Sequence, residues 1–189
     1  QKEFIYIDLK LVNKKQYMIN KYLKPDAVIL AGGRGSRIDG YLNNKQKCVV
    51  NFNNKPFLSY ILRYLCKFDL NKIYILTGYK SREIYKRYHN KKINFIKIIC
   101  VKEKKPMGTG GAISKIKKLG VKNFFLLNGD SIIDININRL KNTINKSSIG
   151  VFSLIKNNNY KTNKKINKIN LNKKKLVYKN KNGLMNAGI

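Results

Sequence analysis

The order of hydrophobic and polar positions from residue 26 onward predicts strands that alternate with helices. Apolar runs too short for a helix predict strands at 27–30, 73–77, 93–101, 124–128 and 150–154. The intervening segments predict helices from Pro56, from Ser81 to about His89, at 112–119 and at 137–144. Such alternation is typical of βαβ units. We therefore predict an α/β fold, a Rossmann-like, mostly parallel twisted sheet with helices on both faces.

The helix that begins at Pro56 shows the clearest periodicity, because proline is tolerated in a first helical turn. Its apolar residues recur at three- and four-residue spacing, which predicts one buried face. These residues are Phe57, Tyr60, Ile61, Tyr64, Leu65 and Phe68. We expect the tyrosines and Phe68 to be core residues rather than a stacking platform.

Both ends of the chain depart from this regular pattern. Residues 1–25 contain one candidate strand (4–9) and a short candidate helix (16–23), and we interpret them as a linker or the tail of a preceding domain. Residues 26–189 then form the main domain, whose C-terminal part we expect to be missing because no closing helix follows residue 186. Segments 166–171 and 176–178 predict a hairpin.

The charge balance is strongly basic, with 41 Lys and Arg against nine Asp and Glu and a formal net charge of +32. Nucleic-acid binding is one interpretation. The cations are spread along the chain beside abundant Asn, Ile and Tyr, which favours a general compositional bias and no nucleic-acid partner. No apolar run reaches membrane-span length, so no membrane contact is predicted. Three widely spaced cysteines indicate reduced thiols and a cytoplasmic protein.

A glycine-rich loop follows the first strand of the regular pattern and is the first candidate for chemistry. Gly32, Gly33 and Gly35 offer backbone N–H groups to phosphate oxygens, with Ser36 and Arg37 beside them. The loop lacks the Gly-Lys-Ser/Thr of nucleoside triphosphatases and the third glycine of the dinucleotide fingerprint. By itself it predicts either a phosphate-binding loop or a plain turn.

Two further segments follow predicted strands and should meet this loop at the carboxyl edge of the sheet, where α/β proteins bind ligands. Residues 106–111 open a helix with small residues against which a flat base could lie. Asp130 follows another strand and is either a magnesium ligand or a turn residue. Glu103 is either a group that accepts hydrogen bonds from guanine or a solvated carboxylate among lysines.

The order of these motifs resembles that of the sugar-1-phosphate nucleotidyltransferases, over residues 26–189. The shared motifs are Gly32-Gly33-Arg34-Gly35-Ser36-Arg37-Ile38, Lys47-Cys48, Asn54-Lys55-Pro56, Met107-Gly108-Thr109-Gly110-Gly111-Ala112, Gly129-Asp130 and Asn186-Ala187-Gly188-Ile189. Within the family, residues 77–80 and 108–112 look most like the heptose 1-phosphate guanylyltransferase branch.

The resemblance implies a nucleotide-diphospho-sugar transferase type of fold and a reaction in which a nucleoside triphosphate and a sugar 1-phosphate give a nucleotide sugar and pyrophosphate, with Mg²⁺ as cofactor. It implies that the loop glycines and Ser36 hold the nucleotide. Further implied roles are pyrophosphate binding by Arg37, phosphate bridging by Lys47, metal binding by Asp130, base contact by Gly108, Thr109 and Gly111, and sugar contact by Asn186 and Gly188.

Three departures from the family pattern qualify this expectation. Gln46 replaces the proline before Lys47, which predicts a looser loop, and Asn54 replaces a glycine, which is a mild change because asparagine tolerates left-handed backbone. The family's second metal-binding aspartate would follow residue 189. Three alternatives stay open: another base, another sugar (mannose, glucose or an amino sugar), or a catalytically silent domain that binds nucleotide sugars.

Overall fold

The chain divides into two structural units in its computed structural model, one formed by residues 24–132 and the other by residues 1–23 and 133–189. The structure describes residues 2–8, 24–33, 45–103, 108–132, 134–142, 148–156, 169–172, 175–178 and 184–186. In chain order the elements are β1 (Lys2–Asp8), β2 (Asp26–Ala31), a 3-10 helix (Lys47–Val49), β3 (Asn51–Phe52), β4 (Lys55–Pro56), α1 (Phe57–Leu65), β5 (Lys72–Thr77), α2 (Arg82–Tyr88), β6 (Lys92–Ile93), β7 (Ile96–Lys102), α3 (Gly108–Lys118), β8 (Phe124–Asn128), α4 (Ile137–Asn142), β9 (Ser148–Lys156), β10 (Ile169–Asn172), β11 (Lys175–Tyr178) and β12 (Leu184–Asn186).

The unit of residues 24–132 is built on a sheet with the strand order β6-β7-β5-β2-β8. Neighbours from β7 to β8 are parallel, and only β6 pairs antiparallel with β7 at the edge. The chain runs from β2 outward to β7 and then returns to place β8 on the other side of β2. The strand order therefore reverses between β2 and β8, which is where doubly wound sheets form their ligand crevice.

Both faces of this sheet are covered, as expected for a parallel sheet. On one face Val28 and Leu76 pack in a cluster with Ile116 of α3. Their neighbours on the opposite face, among them Ile29 and Ile75, are also fully buried. The predicted α/β fold with a mostly parallel sheet is confirmed.

The helix predicted from Pro56 is α1, but its buried face differs from the prediction. The residues fully buried along it are Leu58, Ile61, Leu62 and Leu65. Tyr60 and Tyr64 flank this face and are half-buried, as is Phe68 beyond the helix end, so the prediction that these three are core residues was wrong. The reason is polar and aromatic pairing at the rim: the Tyr60 hydroxyl donates to the Phe52 carbonyl at 2.8 Å, and Tyr64 meets Phe68 edge-on.

The strand predicted at 93–101 is a hairpin, formed by β6 and β7 around Asn94 and Phe95, which have φ of 45° and 66°. A second tight hairpin joins β3 to β4 through Asn53 and Asn54, with φ of 46° and 62°. Two successive positive φ angles are the pattern of the turns that suit two-residue hairpins. The expectation that asparagine at position 54 serves in place of glycine is confirmed.

Helix boundaries differ modestly from the predictions. Ser81 precedes α2, but its own backbone is already helical and its side chain makes no capping hydrogen bond. Helix α3 begins at Gly108 rather than residue 112, and α4 is described over Ile137–Asn142, within the predicted range. No helix in the described part of the chain is long and apolar enough to cross a membrane.

The second unit contains an antiparallel sheet with the strand order β1-β9-β12-β10-β11. The strand β9, predicted within the alternating pattern, therefore joins this sheet instead of the parallel one. The hairpin predicted near residue 172 is confirmed by the pairing of β10 with β11. Because β1 pairs with β9, residues 1–23 group with 133–189, although the interpretation of 1–25 as a linker or preceding-domain tail stays a prediction. The helix predicted at 16–23 lies outside the described residues.

Candidate active site

The ends of β2 and β8 meet closely at the reversal of strand order. The Gly129 N–H donates to the Leu30 carbonyl at 2.9 Å, and a Cβ at position 129 would lie 2.8 Å from that same oxygen. Only glycine allows this approach, because a carbon and a backbone oxygen do not come so close without displacement. The contact brings Asp130, the next residue, beside the first residues of the glycine loop.

Lys47 reaches Asp130 across the gap between two chain segments. The Lys47 ammonium (Nζ) lies 2.6 Å from Asp130 Oδ2, and both side chains are 39% exposed. Ser131 adds a hydrogen bond from its hydroxyl to Asp130 Oδ1 at 3.3 Å. Two residues that the sequence put forward separately, 83 positions apart, therefore form one charged pair that solvent and ligands can reach.

Lys47 lies on a short 3-10 helix that is anchored by the residue before it. The Gln46 side chain is buried, its Nε2 donating to the Ala31 carbonyl at 2.6 Å and its Oε1 accepting from the Cys48 N–H at 2.8 Å. Burial raises the pKa of the Cys48 thiol to about 12, and the nearby Asp130 carboxylate raises it further. Cys48 is therefore a protonated packing residue and not a nucleophile.

A second polar group, the Glu103 carboxylate, lies beside the glycine loop. The Glu103 N–H extends the sheet by donating to the Thr77 carbonyl at 2.7 Å. Its Oε2 lies so close to Gly32 and Gly78 that a Cβ on either glycine would come within 3.0 Å or 3.4 Å of it. Its Oε1 is buried and has no hydrogen-bond partner among the residues that the structure describes. Buried carboxylate oxygens are normally paired, so this one has unused accepting capacity.

The N-terminus of α3 presents open glycine backbone. Gly108 has a φ of +66°, and added Cβ atoms at Gly108 and Gly110 would meet none of the described residues within 4 Å. The Lys115 ammonium fixes the helix to β7 by donating to the Lys102 carbonyl at 2.8 Å. Glycine is therefore required at position 108 for its backbone conformation.

The structure brings together part of the predicted site. Gly32, Gly33, Lys47, Glu103, Gly108, Gly111 and Asp130 all belong to the unit of residues 24–132, although Thr109 is described only by its backbone. Gly35, Ser36, Arg37 and Gly188 lie outside the described residues. Asn186 ends β12 in the other unit, where it pairs with Leu154.

Sequence reasoning missed two residues as parts of the site, Gln46 and Gly78. Gly78 follows strand β5 as Gly32 follows β2, so the same strand-then-glycine signal could have found it. Gln46 carries no such signal, because its role depends on the partner carbonyl of Ala31 far away in the sequence. Within the described ranges, no three His, Cys, Asp or Glu side chains gather as a metal cluster.

Comparisons with known proteins agree with the motifs. The family described as nucleotidyl transferase matches residues 26–164. The D-glycero-alpha-D-manno-heptose 1-phosphate guanylyltransferase of Campylobacter jejuni is 34% identical over 169 residues, which are 86% of this chain and 73% of that protein. The enzyme of the same name from Aneurinibacillus thermoaerophilus is 34% identical over 116 residues, 61% of this chain and 50% of its own length.

Solved structures show the same fold. The crystal structure of HddC from Yersinia pseudotuberculosis superposes with a TM-score of 0.66 at 24% identity, covering 87% of this chain and 74% of that one. The HddC structure complexed with GMP-PN gives a TM-score of 0.57 at 30% identity over 63% of this chain and 53% of its own. The chain belongs to the nucleotidyl transferase family, which confirms the resemblance to sugar-1-phosphate nucleotidyltransferases that its motifs predicted.

Proposed function

We propose that this chain transfers the guanylyl group of GTP to a heptose 1-phosphate and releases pyrophosphate. The observation that carries nucleotidyl transfer is the pairing of Lys47 with Asp130 at the reversal of strand order, beside the glycines that follow β2. The choice of GTP and a heptose is supported by the relatives named heptose 1-phosphate guanylyltransferase and by the HddC complex with GMP-PN.

The chemistry needs positioning and charge neutralisation more than proton transfer. A phosphate oxygen of the sugar 1-phosphate attacks the α-phosphorus of GTP, a new P–O bond forms, and the bond to the β-phosphate bridging oxygen breaks. The bonding electrons leave with pyrophosphate. Because the attacking oxygen is already an anion, no general base is required, and fixed cations lower the barrier by stabilising the crowded negative charge.

Among the residues that the structure describes, Lys47 is the cation best placed for this role. Its ammonium is half-exposed and held at the sheet edge, so it can exchange the Asp130 carboxylate for a substrate phosphate. We expect it to bridge the phosphates of the two substrates, while Arg37 binds the departing pyrophosphate. Gly32, Gly33, Gly35 and Ser36 would hold the triphosphate through backbone and hydroxyl groups.

Asp130 fits the magnesium ion that the family implies. Mg²⁺ favours carboxylate oxygens and is often held by one or two carboxylates together with substrate phosphates, so a lone half-exposed aspartate suits it. When bound, the ion would neutralise charge on the triphosphate. Asp130 would hold it, aided by the Ser131 hydroxyl that fixes the carboxylate.

Glu103 supports guanine as the base. Guanine presents N–H donors on its pairing edge, and the buried Oε1 of Glu103, which has no partner within the described part of the chain, can accept them. The open backbone at Gly108, together with Thr109 and Gly111, would contact the base plane. By resemblance, Asn186 and Gly188 would contact the sugar.

The proposed location is the cytoplasm, since GTP is consumed there and the chain's three cysteines are free thiols. The proposal includes no nucleic-acid or membrane partner. Fusion to a domain N-terminal to residue 26 stays a prediction.

The test is pyrophosphate release by the purified protein with Mg²⁺, five nucleoside triphosphates and a panel of sugar 1-phosphates. We expect release with GTP and a heptose 1-phosphate, and not with other pairs. Release with a different pair would correct the substrate assignment. Binding of a nucleotide sugar without any release would refute the enzyme and favour a silent regulatory domain.

A Glu103→Gln variant tests the base contact within that assay. Glutamine keeps the shape but replaces one accepting oxygen with a donor group. Loss of a hydrogen bond to a charged group corresponds to roughly a 10- to 100-fold fall in kcat/KM for GTP. An unchanged kcat/KM for GTP would show that Glu103 does not contact the base.

A further inference from the structure

We propose that Gln46 is a positioning residue, whose side-chain amide fixes the 3-10 helix so that Lys47 faces Asp130. The effect of Gln46 on turnover rests on the proposed function, whereas its role in placing Lys47 does not. Nothing in the family pattern assigns this role, because that pattern has proline where this chain has Gln46.

The Gln46 amide joins two chain segments by using both of its ends. Nε2 donates to the carbonyl of Ala31, the last residue of β2, at 2.6 Å. Oε1 accepts from the Cys48 N–H at 2.8 Å and from the Cys48 thiol at 2.5 Å. A carbonyl requires a donor and an N–H requires an acceptor, so the orientation of the amide is fixed by its partners.

Burial makes the hydrogen bonds of the Gln46 amide costly to break. Gln46 is 3% exposed, and its neighbours Cys48 and Val49 are equally enclosed. Unpaired polar groups in such surroundings are costly, so the side chain and its partners hold one another in place. The Gln46 carbonyl also accepts from the Val49 N–H at 3.0 Å, which closes the 3-10 turn that carries Lys47.

The Gln46 hydrogen bonds fix the backbone from which the long Lys47 side chain extends. Lys47 is attached between two anchored residues, and its ammonium reaches Asp130 at 2.6 Å. Asp130 is held from the other side by the approach of Gly129 to Leu30 in the same strand, β2. Lys47 and Asp130 are therefore both anchored to the end of β2. Lys47 is anchored through the Gln46 amide, and Asp130 is anchored through the backbone of Gly129.

Proline could occupy position 46 without backbone strain, because Gln46 has a φ of −75°. It would nevertheless remove the bridge to Ala31. The expectation of a looser loop at Gln46 thus gives way to one tied to the sheet.

A test that needs no catalysis measures how fast the Lys47 amine is acetylated, by acetic anhydride pulses and peptide mass spectrometry. The variant is Gln46→Leu, which keeps the volume and removes all three side-chain hydrogen bonds. The matched control is Asn71→Leu, which removes an amide bonded to Asp26 at the opposite end of β2. Exposed lysines such as Lys97 serve as internal standards.

We expect Lys47 to be acetylated about two- to fivefold faster in Gln46→Leu than in wild type, which is the factor that corresponds to loss of a half-exposed ion pair. In Asn71→Leu the acetylation rate of Lys47 should equal that of wild type. An unchanged rate in folded Gln46→Leu would overturn the proposal. Should that variant fail to fold, Gln46→Met, whose flexible side chain also lacks the amide, is judged by the same criterion.

The second arm measures turnover with GTP and a heptose 1-phosphate in a double-mutant cycle with Lys47→Met. Gln46→Leu should lower kcat about tenfold in the wild-type background and add no further loss in Lys47→Met, since it acts through that lysine. An equal loss in both backgrounds would overturn the positioning role. A wild-type protein without turnover would refute the proposed function, while the acetylation result would still decide the role of Gln46.

Discussion

The contact between Gly32 and Gly78 offers a prediction that depends only on the geometry of the nucleotide side of the site. In a Gly78→Ala variant the new Cβ would lie 2.8 Å from the Gly32 carbonyl oxygen and 3.1 Å from the Gly32 Cα. Ordinary carbon–oxygen contacts begin near ~3.3 Å, so the overlap is about 0.5 Å. Both obstructing atoms are backbone, and no side-chain rotation can relieve the clash.

Overpacking of this kind costs about 1–3 kcal/mol. For a chain of this length that corresponds to a fall in melting temperature of roughly 2–12 °C. The displacement would also separate Gly32 from Glu103 Oε2, which lies 3.4 Å from the same Cβ, so GTP affinity should fall in parallel.

Thermal unfolding followed by circular dichroism measures the first effect, and isothermal titration with GTP measures the second. Gly33→Ala is the stability control, because its added Cβ would meet no described residue within 4 Å, so its melting temperature should stay within about 2 °C of wild type. A Gly78→Ala protein as stable as wild type would refute the close approach of the β2 and β5 loops.

Three further predictions concern Asp130, Asn54 and Cys48. Asp130→Asn should lower kcat at least ~100-fold with little change in melting temperature, because an exposed ion pair contributes at most about 1 kcal/mol; steady-state kinetics and calorimetry measure the two quantities. Asn54→Ala should destabilise by about 1 kcal/mol in urea unfolding, since φ is 62°, whereas Asn54→Gly should not. Burial raises the Cys48 pKa from 9.0 to about 12, so the neutral thiol's contribution to the free energy of unfolding is complete below pH 9. That contribution is lost as pH rises toward 12, at up to about 1.4 kcal/mol per pH unit. Cys48→Ser should lack that part of the alkaline slope, and equal slopes for the two proteins in urea unfolding would contradict the burial of the thiol.

Much of the parallel sheet was predictable because its strands are buried on both faces and so appear as continuous apolar runs. Residues of β2 and β5 illustrate this, with Ile29 and Ile75 fully buried. Motif order likewise put Lys47 and Asp130 forward before any distance was known.

The hairpin between β6 and β7 could not be predicted in the same way. Its turn contains Phe95 at a φ of 66°, and an aromatic residue gives no sequence signal for left-handed backbone. The turn through Asn53 and Asn54 was easier, because asparagine tolerates that conformation.

The site residues that the sequence did not predict have roles that depend on tertiary contacts. Gln46 has its role only because the Ala31 carbonyl ends β2 within reach, and Gly78 only because Gly32 lies against it. Similarly, the buried face of α1 shifted from the predicted one because aromatic rings can pair at a rim and need not enter the core. Periodicity reports which residues are apolar but not which neighbours they meet.

The most direct test of nucleotidyl transfer follows the α-phosphate of GTP. With GTP labelled at the α-phosphorus, a heptose 1-phosphate and Mg²⁺, we predict that the label appears in a product that also contains the sugar, in equal amount to the pyrophosphate released. The Asp130→Asn protein should form that product at least ~100-fold more slowly. Label found only in unreacted GTP, GMP or GDP would contradict the assignment of this site to nucleotidyl transfer.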